Sequence, residues 1–178
     1  LVTSDQWEEA YKNLNLDAMS DSVTVSYGIT VNNTAMYDFP TAEIHTGADL
    51  NEAENALQQS YLRMNEPVIV ILESADSAWY YVVAQEYIGW IESKDCALFE
   101  NKQAWMDYYK QDNFLMVTED CKINGIEGDV LMGTKLYLAE NSQDICVPKR
   151  NEQEEIELTY VSVSSDAKVN EGYLPFTA

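Results

Sequence analysis

The residue types that most often carry covalent or metal chemistry are scarce in this sequence. It has three cysteines, Cys96, Cys121 and Cys146, and one histidine, His45. A cysteine nucleophile needs a base such as imidazole beside its thiol, but His45 lies in a polar stretch with no cysteine near it in sequence. Without a C-x-x-C pair a zinc site is disfavoured. We therefore expect no catalytic residues, no metal, no cofactor and three buried thiols, with one disulfide plus a free thiol as the alternative.

The charge narrows the range of partners. The 178 residues include 31 acidic and 10 basic side chains, a formal charge of −21. Such a chain repels polyphosphate and anionic surfaces, so we expect no nucleic-acid partner. A wall-derived ligand would have to be held by shape, stacking and hydrogen bonds. The sequence contains no run of eighteen apolar residues, which predicts no membrane span.

Hydrophobic periodicity in the first half alternates between helix and strand. An amphipathic helix, with Asp5 and Glu8 as a plausible cap, precedes a half-buried strand. A long polar loop, a second helical pattern and a short buried strand follow. The first helix covers residues 3–14, the half-buried strand 23–31, the loop 32–48, the second helical pattern 51–62 and the buried strand 67–72.

The stretch WYYVVAQEYIGWIES, residues 79–93, contains two tryptophans and three tyrosines. It predicts two strands interrupted near residues 85–86. Small barrels fill their interiors with such side chains, so we expect Trp79, Tyr81 and Trp90 to serve core and inter-domain packing. A ligand platform is the alternative.

The second half predicts one helix followed by short strands. The helix is expected at about 100–110, where Trp105 and Tyr109 lie four residues apart. Frequent glycine turns separate the strands, a pattern typical of small barrels. We therefore predict a mainly β fold, with two tandem SH3-like barrels, an N-terminal helical segment and a linking helix. The strands are expected at residues 114–118, 135–139, 145–148 and 156–163.

The aromatic stretch also carries a family resemblance. This stretch and the residues after it resemble the pattern of a bacterial SH3 domain, in which W-Y-Y-V is followed by a turn, G-W-I and then DCAL. The rest of the chain is similar to the tandem SH3 region of NlpC/p60-type cell-wall cysteine endopeptidases. The segments that carry this similarity are YGITVNNTAMYDFPT and VVAQEYIGWIESKDCALF for the first domain, FLMVTEDCKI, LMGTKLYL and VPKR for the second, and NEGYLPFT leading into a peptidase domain.

The resemblance implies a division of the chain into five segments. They are an N-terminal helical segment, a first SH3-like domain with a long loop and an inserted helix, a linker helix, a second SH3-like domain, and the start of a linker to a peptidase domain. The catalytic domain would begin where this sequence stops, so the chain itself is expected to be non-catalytic. The helical segment is residues 1–21, the first SH3-like domain 22–99, the linker helix 100–111, the second SH3-like domain 112–172 and the start of the final linker 173–178.

The resemblance also implies a function. Related chains accompany a domain that cuts the γ-D-glutamyl bond to the next diamino acid in peptidoglycan stem peptides. The expected partners are that peptidase domain and the stem peptide. The expected location is extracellular or in the cell envelope, or cytoplasmic for an enzyme that recycles wall fragments. The alternative is a free-standing SH3-like protein that binds wall peptide or another protein.

In such peptidases the first SH3 domain resembles a lid that selects stem peptides with a free amino end. By position, Tyr87 is the leading candidate for the substrate-binding rim, with Glu86 beside it. A purely structural role, in which the Tyr87 ring packs against neighbouring side chains, is an equally good interpretation of this residue. Gln59 falls where related sequences often carry Glu, so the charge that would bind an ammonium is expected to be absent there. The acidic run 152–157 is expected to be a solvated turn and strand edge.

Overall fold

The computed structural model describes residues 3–20, 22–42, 57–140 and 142–173. Its described part is mainly β, with several antiparallel sheets and two α-helices, as predicted. Neither helix is long and apolar enough to cross a lipid bilayer. The helices are α1 (Ser4–Asn13) and α2 (Lys102–Tyr109), and the strands are β1 (Ser26–Thr30), β2 (Thr34–Tyr37), β3 (Gln58–Leu62), β4 (Pro67–Glu73), β5 (Trp79–Val83), β6 (Ile88–Glu92), β7 (Cys96–Phe99), β8 (Phe114–Val117), β9 (Lys135–Tyr137), β10 (Asp144–Arg150), β11 (Ile156–Ser162) and β12 (Val169–Glu171).

Strands β1 to β7 form one antiparallel sheet, which we call the first barrel. Its strand order is β3-β2-β6-β5-β4-β1-β7. Alternate residues of β4 and β5 point inward, and Val68, Val82 and Ile91 are fully buried. These side chains join Met36, Tyr80 and other apolar residues in one core cluster. Burial of these side chains supplies the main driving force for this unit.

Strands β8 to β12 form the second barrel. One sheet has the order β12-β8-β9, and β10 pairs with β11 in a separate hairpin. An isolated bridge between Leu138 and Ile145 connects the two. Val130, Leu136 and Ile145 are fully buried in the core of this barrel.

Helix α2 and the β10–β11 hairpin hold the barrels together. The Trp105 indole Nε1–H of α2 donates to the Gly28 carbonyl at 2.9 Å. A shared core cluster takes Ile29 from the first barrel, Tyr108 from α2 and Tyr137 from the second barrel. At the hairpin turn, the Leu98 amide of β7 donates to the Glu154 carbonyl at 2.8 Å. The two barrels are therefore packed against each other through an apolar core and backbone pairing.

Helix α1 lies on the first barrel. Thr3, rather than the expected Asp5, caps it, because the Thr3 hydroxyl accepts from the Gln6 amide while the Gln6 side chain accepts from the Thr3 amide. At the other end, the Asn13 amide group donates to the Pro40 carbonyl at 3.0 Å and to Asp76 at 3.2 Å. These bonds dock the last turn of α1 on the barrel.

Three predictions from the first half need correction. The predicted strand 23–31 is a strand only at Ser26–Thr30, and the predicted loop 32–48 contains β2. Of the predicted helix 51–62, residues 51–56 lie outside the described residues, and Gln58–Leu62 is a strand. Pairing of β3 with β2 overrides the weak helical spacing of this segment.

The remaining elements follow the sequence patterns closely. The predicted strand 67–72, the strand pair in 79–93 and the helix near 100–110 are confirmed by β4, β5–β6 and α2. The four predicted strands of the second half are confirmed as β8, β9, β10 and β11. Strands β7 and β12 were not predicted.

Candidate functional site

A cleft of about 610 Å³ opens between the two barrels. Its walls come from both barrels and from the end of α2, and we call it the inter-barrel cleft. Volumes of this order suit small ligands and short peptides. The cleft is lined by residues 60–67, 84–87 and 109–112 together with Phe114, Gly133, Thr134, Lys135, Tyr137 and Tyr173.

The turn between β5 and β6 places two of the predicted site residues in this cleft. The Ala84 amide donates to the Tyr87 carbonyl at 2.8 Å, which closes a tight hairpin turn. Glu86 and Tyr87 are both exposed and line the cleft. Within the described residues neither side chain makes a hydrogen bond, so both are available to a ligand.

The third predicted site residue, Gln59, lies outside the lining of the cleft. Its side-chain amide donates to the Asp38 carboxylate at 2.6 Å. Since Tyr37 pairs with Trp90, Asp38 lies toward the end of β6 that adjoins Tyr87. The structure thus brings Glu86 and Tyr87 together and leaves Gln59 beside a carboxylate on the outer strands.

Three basic side chains that the sequence patterns did not indicate also line the cleft, namely those of Arg63, Lys110 and Lys135. Arg63 bridges the barrels, because its Nε–H donates to the Met132 carbonyl at 2.7 Å. Its Nη1 lies 3.3 Å from Glu66 Oε1. Gly133 allows this approach, since a Cβ there would lie 3.2 Å from Arg63 Nε. No local sequence pattern signals this contact, since Arg63 and Met132 are distant in the chain.

Lys135 lies on the second barrel's wall of the cleft. Its Nζ is 4.9 Å from the centroid of the Phe114 ring and 4.7 Å from that of Tyr173. It also donates a hydrogen bond to the Tyr173 hydroxyl at 2.5 Å. Two aromatic faces and a hydroxyl therefore surround one side of the ammonium.

Asn65 fixes the floor of the cleft. Its backbone has a φ of 64°, a left-handed conformation that asparagine tolerates better than most residues. Its side-chain amide donates to the Lys135 carbonyl at 3.0 Å and accepts from the Tyr108 hydroxyl at 2.9 Å. Burial raises the pKa of Tyr108, which keeps that hydroxyl a donor.

The tryptophans of the aromatic stretch are packing residues, as expected. Trp79 and Trp90 are buried. Trp79 packs edge-on against Tyr37 at 5.5 Å between ring centroids, and Tyr81 packs on Trp90 at 5.2 Å. Trp105 is also buried. The ligand-accessible aromatic group of this stretch is Tyr87.

The cysteines do not form a reactive centre with one another. All three are free, and Cys96 and Cys146 are buried, whereas Cys121 is only partly buried, which corrects the expectation of three buried thiols. Burial raises the pKa of the Cys96 thiol to about 12 and also raises that of Cys146. His45 lies outside the described residues. Within the ranges that the structure describes, no three Cys, His, Asp or Glu side chains are grouped so that they could hold a metal ion.

Comparisons with known proteins agree with this architecture. Residues 55–92 match the family model of an SH3 domain of the SH3b1 type. This match contains Gln59, Glu86 and Tyr87 and ends with β6. No curated protein matches the chain in sequence.

Among solved structures, the chain is similar to an NlpC/P60 endopeptidase from Photobacterium damselae subsp. piscicida. The TM-score is 0.74 at 19% identity, and the match covers 96% of this chain. The chain spans 39% of the length of that endopeptidase. At this identity the likeness establishes the fold. The chain therefore contains a segment of the SH3b1 type within a fold shared with part of an NlpC/P60 endopeptidase, which confirms the resemblance seen in the sequence.

Proposed function

We propose that this chain is the non-catalytic accessory region of an endopeptidase that cuts peptidoglycan stem peptides. In this role it positions a cysteine peptidase domain and shapes its choice of substrate. The observation that carries the proposal is the inter-barrel cleft, which contains the candidate rim residues Glu86 and Tyr87 on one wall. Tyr173, the last described residue, lines the same cleft. A domain joined after residue 178 would be separated from Tyr173 by five residues, which span at most about 18 Å.

The geometry gives these residues distinct roles in the proposal. Tyr87 offers an aromatic face and a hydroxyl to a bound peptide, both of which can contact an ammonium. Glu86, on the same turn, offers a carboxylate. Asp38, beside Gln59, supplies a further negative charge near this end of β6. A free amino end would therefore be held by charge and by stacking.

A titration with the tripeptide L-Ala-γ-D-Glu-L-Lys tests this proposal. Replacing Tyr87 with alanine removes an aromatic contact worth about 1 kcal/mol, so we expect the Kd to rise about fivefold. Tyr160→Ala is the matched control, since Tyr160 is exposed on β11 and lies outside the cleft. Equal affinities of the wild type and Tyr87→Ala would remove Tyr87 from the site.

The purified chain is also expected to hydrolyse no muropeptide. The peptidase activity belongs to a separate domain with a cysteine thiolate beside an imidazole. Release of a dipeptide from muropeptide by the purified 178-residue chain would contradict the proposal. The cellular setting of such an enzyme is the envelope or the outside of the cell, or the cytoplasm for an enzyme that recycles wall fragments.

A second candidate is a free-standing SH3-like binding protein. The observation in its favour is that the two barrels of this chain form a cleft of about 610 Å³ between them. The two candidates differ in the native reading frame. A frame that continues past Ala178 into a domain with a cysteine and a later histidine supports the accessory region, whereas a frame that stops there supports the free-standing protein.

A further inference from the structure

Lys135 differs from the other described lysines in its surroundings. It is half-buried, whereas every other lysine in the described ranges is exposed. The ion pairs found among the described residues do not include it, so no described carboxylate lies within 4.0 Å of its ammonium. Partial burial without a carboxylate partner among the described residues therefore sets Lys135 apart in a chain with 31 acidic side chains.

The hydrogen bonds of Lys135 are incompletely satisfied. An ammonium has three donors, and one of them is used by the Tyr173 hydroxyl. The rings of Phe114 and Tyr173 compensate part of the cost of burying the charge. The remaining donors can bind an acceptor that enters the cleft.

Arg63 adds a second cation on the same side. Its guanidinium lies against Gly133, two residues before Lys135 in the chain. Arg63 comes from the first barrel and Lys135 from the second, and both line the inter-barrel cleft, so the two cations face the same space. Arg63 uses Nε and Nη1 on Met132 and Glu66. Its Nη2 group makes no hydrogen bond within the described part of the chain.

The charges that line the cleft are separated in space. Glu86 lies on the β5–β6 turn of the first barrel, and Lys135 lies on β9 of the second. Glu66 is paired with Arg63, and Lys110 and Asp112 lie at and just after the end of α2. A ligand that spans from Glu86 to Lys135 would present a positive group at one end and a negative group at the other.

We propose that Lys135 and Arg63 form a binding site for a free carboxylate of a short peptide in the inter-barrel cleft. The inference deepens the proposed function and rests on it, because it assigns the other end of the same peptide. Lys135 contacts the carboxylate through its free ammonium donors, and Arg63 contributes its Nη2 group. The peptide's amino end then lies at Glu86 and Tyr87.

The test uses N-acetyl-L-Ala-γ-D-Glu-L-Lys, which keeps its carboxylates but lacks the N-terminal amine. Binding is followed by NMR titration of the full 178-residue chain. Lys135→Met keeps the length and apolar contacts of the side chain, and we expect it to weaken binding about tenfold, the loss typical of a charged hydrogen bond. Lys135→Arg keeps the charge and should bind within about threefold of the wild type. Lys122→Met, at an exposed position on the second barrel outside the cleft, should leave the Kd unchanged.

A second probe separates the contribution of the carboxylates to binding from that of the rest of the peptide. The same N-acetyl peptide with its carboxylates converted to amides should bind the wild type as weakly as the acid binds Lys135→Met. Equal binding of acid and amide, or equal binding by the wild type and Lys135→Met, would overturn the inference and leave Lys135 as an anchor for Tyr173. If the N-acetyl peptide does not bind, the free-amine tripeptide replaces it, and an unchanged Kd in Lys135→Met then overturns the inference.

The outcomes distinguish this inference from the proposed function. If the free-amine tripeptide binds through Tyr87 and Lys135→Met leaves its Kd unchanged, the carboxylate site is wrong and the proposed function stands. If the N-acetyl peptide binds through Lys135 and Tyr87→Ala has no effect on the free-amine peptide, the carboxylate site stands and amine selection is wrong.

Discussion

Replacing Tyr80 with phenylalanine removes a hydroxyl group that links the two barrels. The Tyr80 side chain is buried in the first barrel, and its hydroxyl donates to Glu154 Oε2 at 2.8 Å. Glu154 lies at the turn between β10 and β11 and also accepts from Arg150 Nη2 at 2.7 Å. The substitution therefore tests whether the hairpin of the second barrel stabilises the first.

The magnitude follows from the surroundings of the two partners. A hydrogen bond to a charged group contributes about 1.5–3 kcal/mol when both partners are well shielded. The Glu154 side chain is 40% exposed and keeps its ion pair with Arg150, so water can replace the lost donor. We therefore expect Tyr80→Phe to lower the free energy of unfolding by about 1 kcal/mol. For a chain of this length that corresponds to about 2–4 °C in Tm.

The measurement is urea unfolding followed by tryptophan fluorescence and circular dichroism. Tyr160→Phe is the matched control, because Tyr160 is exposed and its hydroxyl has no partner among the described residues. We expect the control to change stability by less than about 0.5 kcal/mol. A double-mutant cycle with Glu154→Ala, which removes the acceptor, should give a coupling energy near 1 kcal/mol. Equal stabilities of Tyr80→Phe and Tyr160→Phe would refute the proposed link.

Two further predictions concern buried groups. Asn65→Ala should lower the free energy of unfolding by about 3 kcal/mol, because it strains a positive φ and leaves the Tyr108 hydroxyl and the Lys135 carbonyl unpaired. Asn65→Gly should be about 1 kcal/mol less harmful, since glycine tolerates that φ, and chemical denaturation compares the two. The second prediction concerns Cys96, whose thiol has an ordinary pKa of 9.0 and a folded-state pKa of about 12. Above pH 9 the unfolded state releases this proton and the folded state keeps it, so stability should fall by up to about 1.4 kcal/mol per pH unit until about pH 12. Cys96→Ala should lack this slope between pH 9 and 10, and an unchanged slope would contradict the assignment.

Sequence patterns predicted the elements whose signal is local. The apolar run 67–72, the strand pair within 79–93 and the helical spacing of Trp105 and Tyr109 each depend on neighbouring residues. Burial of Trp79 and Trp90 was predictable from the same stretch. The SH3-like resemblance then supplied the arrangement of these elements, which periodicity alone does not encode.

The features that escaped prediction depend on contacts between distant parts of the chain. The segment Gln58–Leu62 has helical spacing, yet it becomes a strand because β2 provides a pairing edge. Glu154 belongs to an acidic run expected to be solvated, but its side chain binds Tyr80, which is 74 residues away. Likewise, the Lys135 ammonium donates a hydrogen bond to Tyr173, which lies 38 residues later in the chain. Such contacts exist only once the barrels have packed together.

The same long-range dependence limited the prediction of the candidate site. Glu86 and Tyr87 were found because they adjoin the Gly-Trp pair of the SH3-like pattern. Arg63 and Lys135 come from different barrels, and no spacing in the sequence relates them. Gln59, which the resemblance placed at the rim, pairs with Asp38 outside the lining of the cleft.

The most direct test of the account is to map the bound tripeptide L-Ala-γ-D-Glu-L-Lys on the chain by amide chemical-shift perturbation. The account predicts that the largest shifts fall on the β5–β6 turn at residues 84–87 and on residues 133–135 of the opposite wall. Largest shifts on a surface remote from the cleft, such as the exposed face of β11, would contradict it. The absence of any saturable shift at millimolar peptide would contradict it equally.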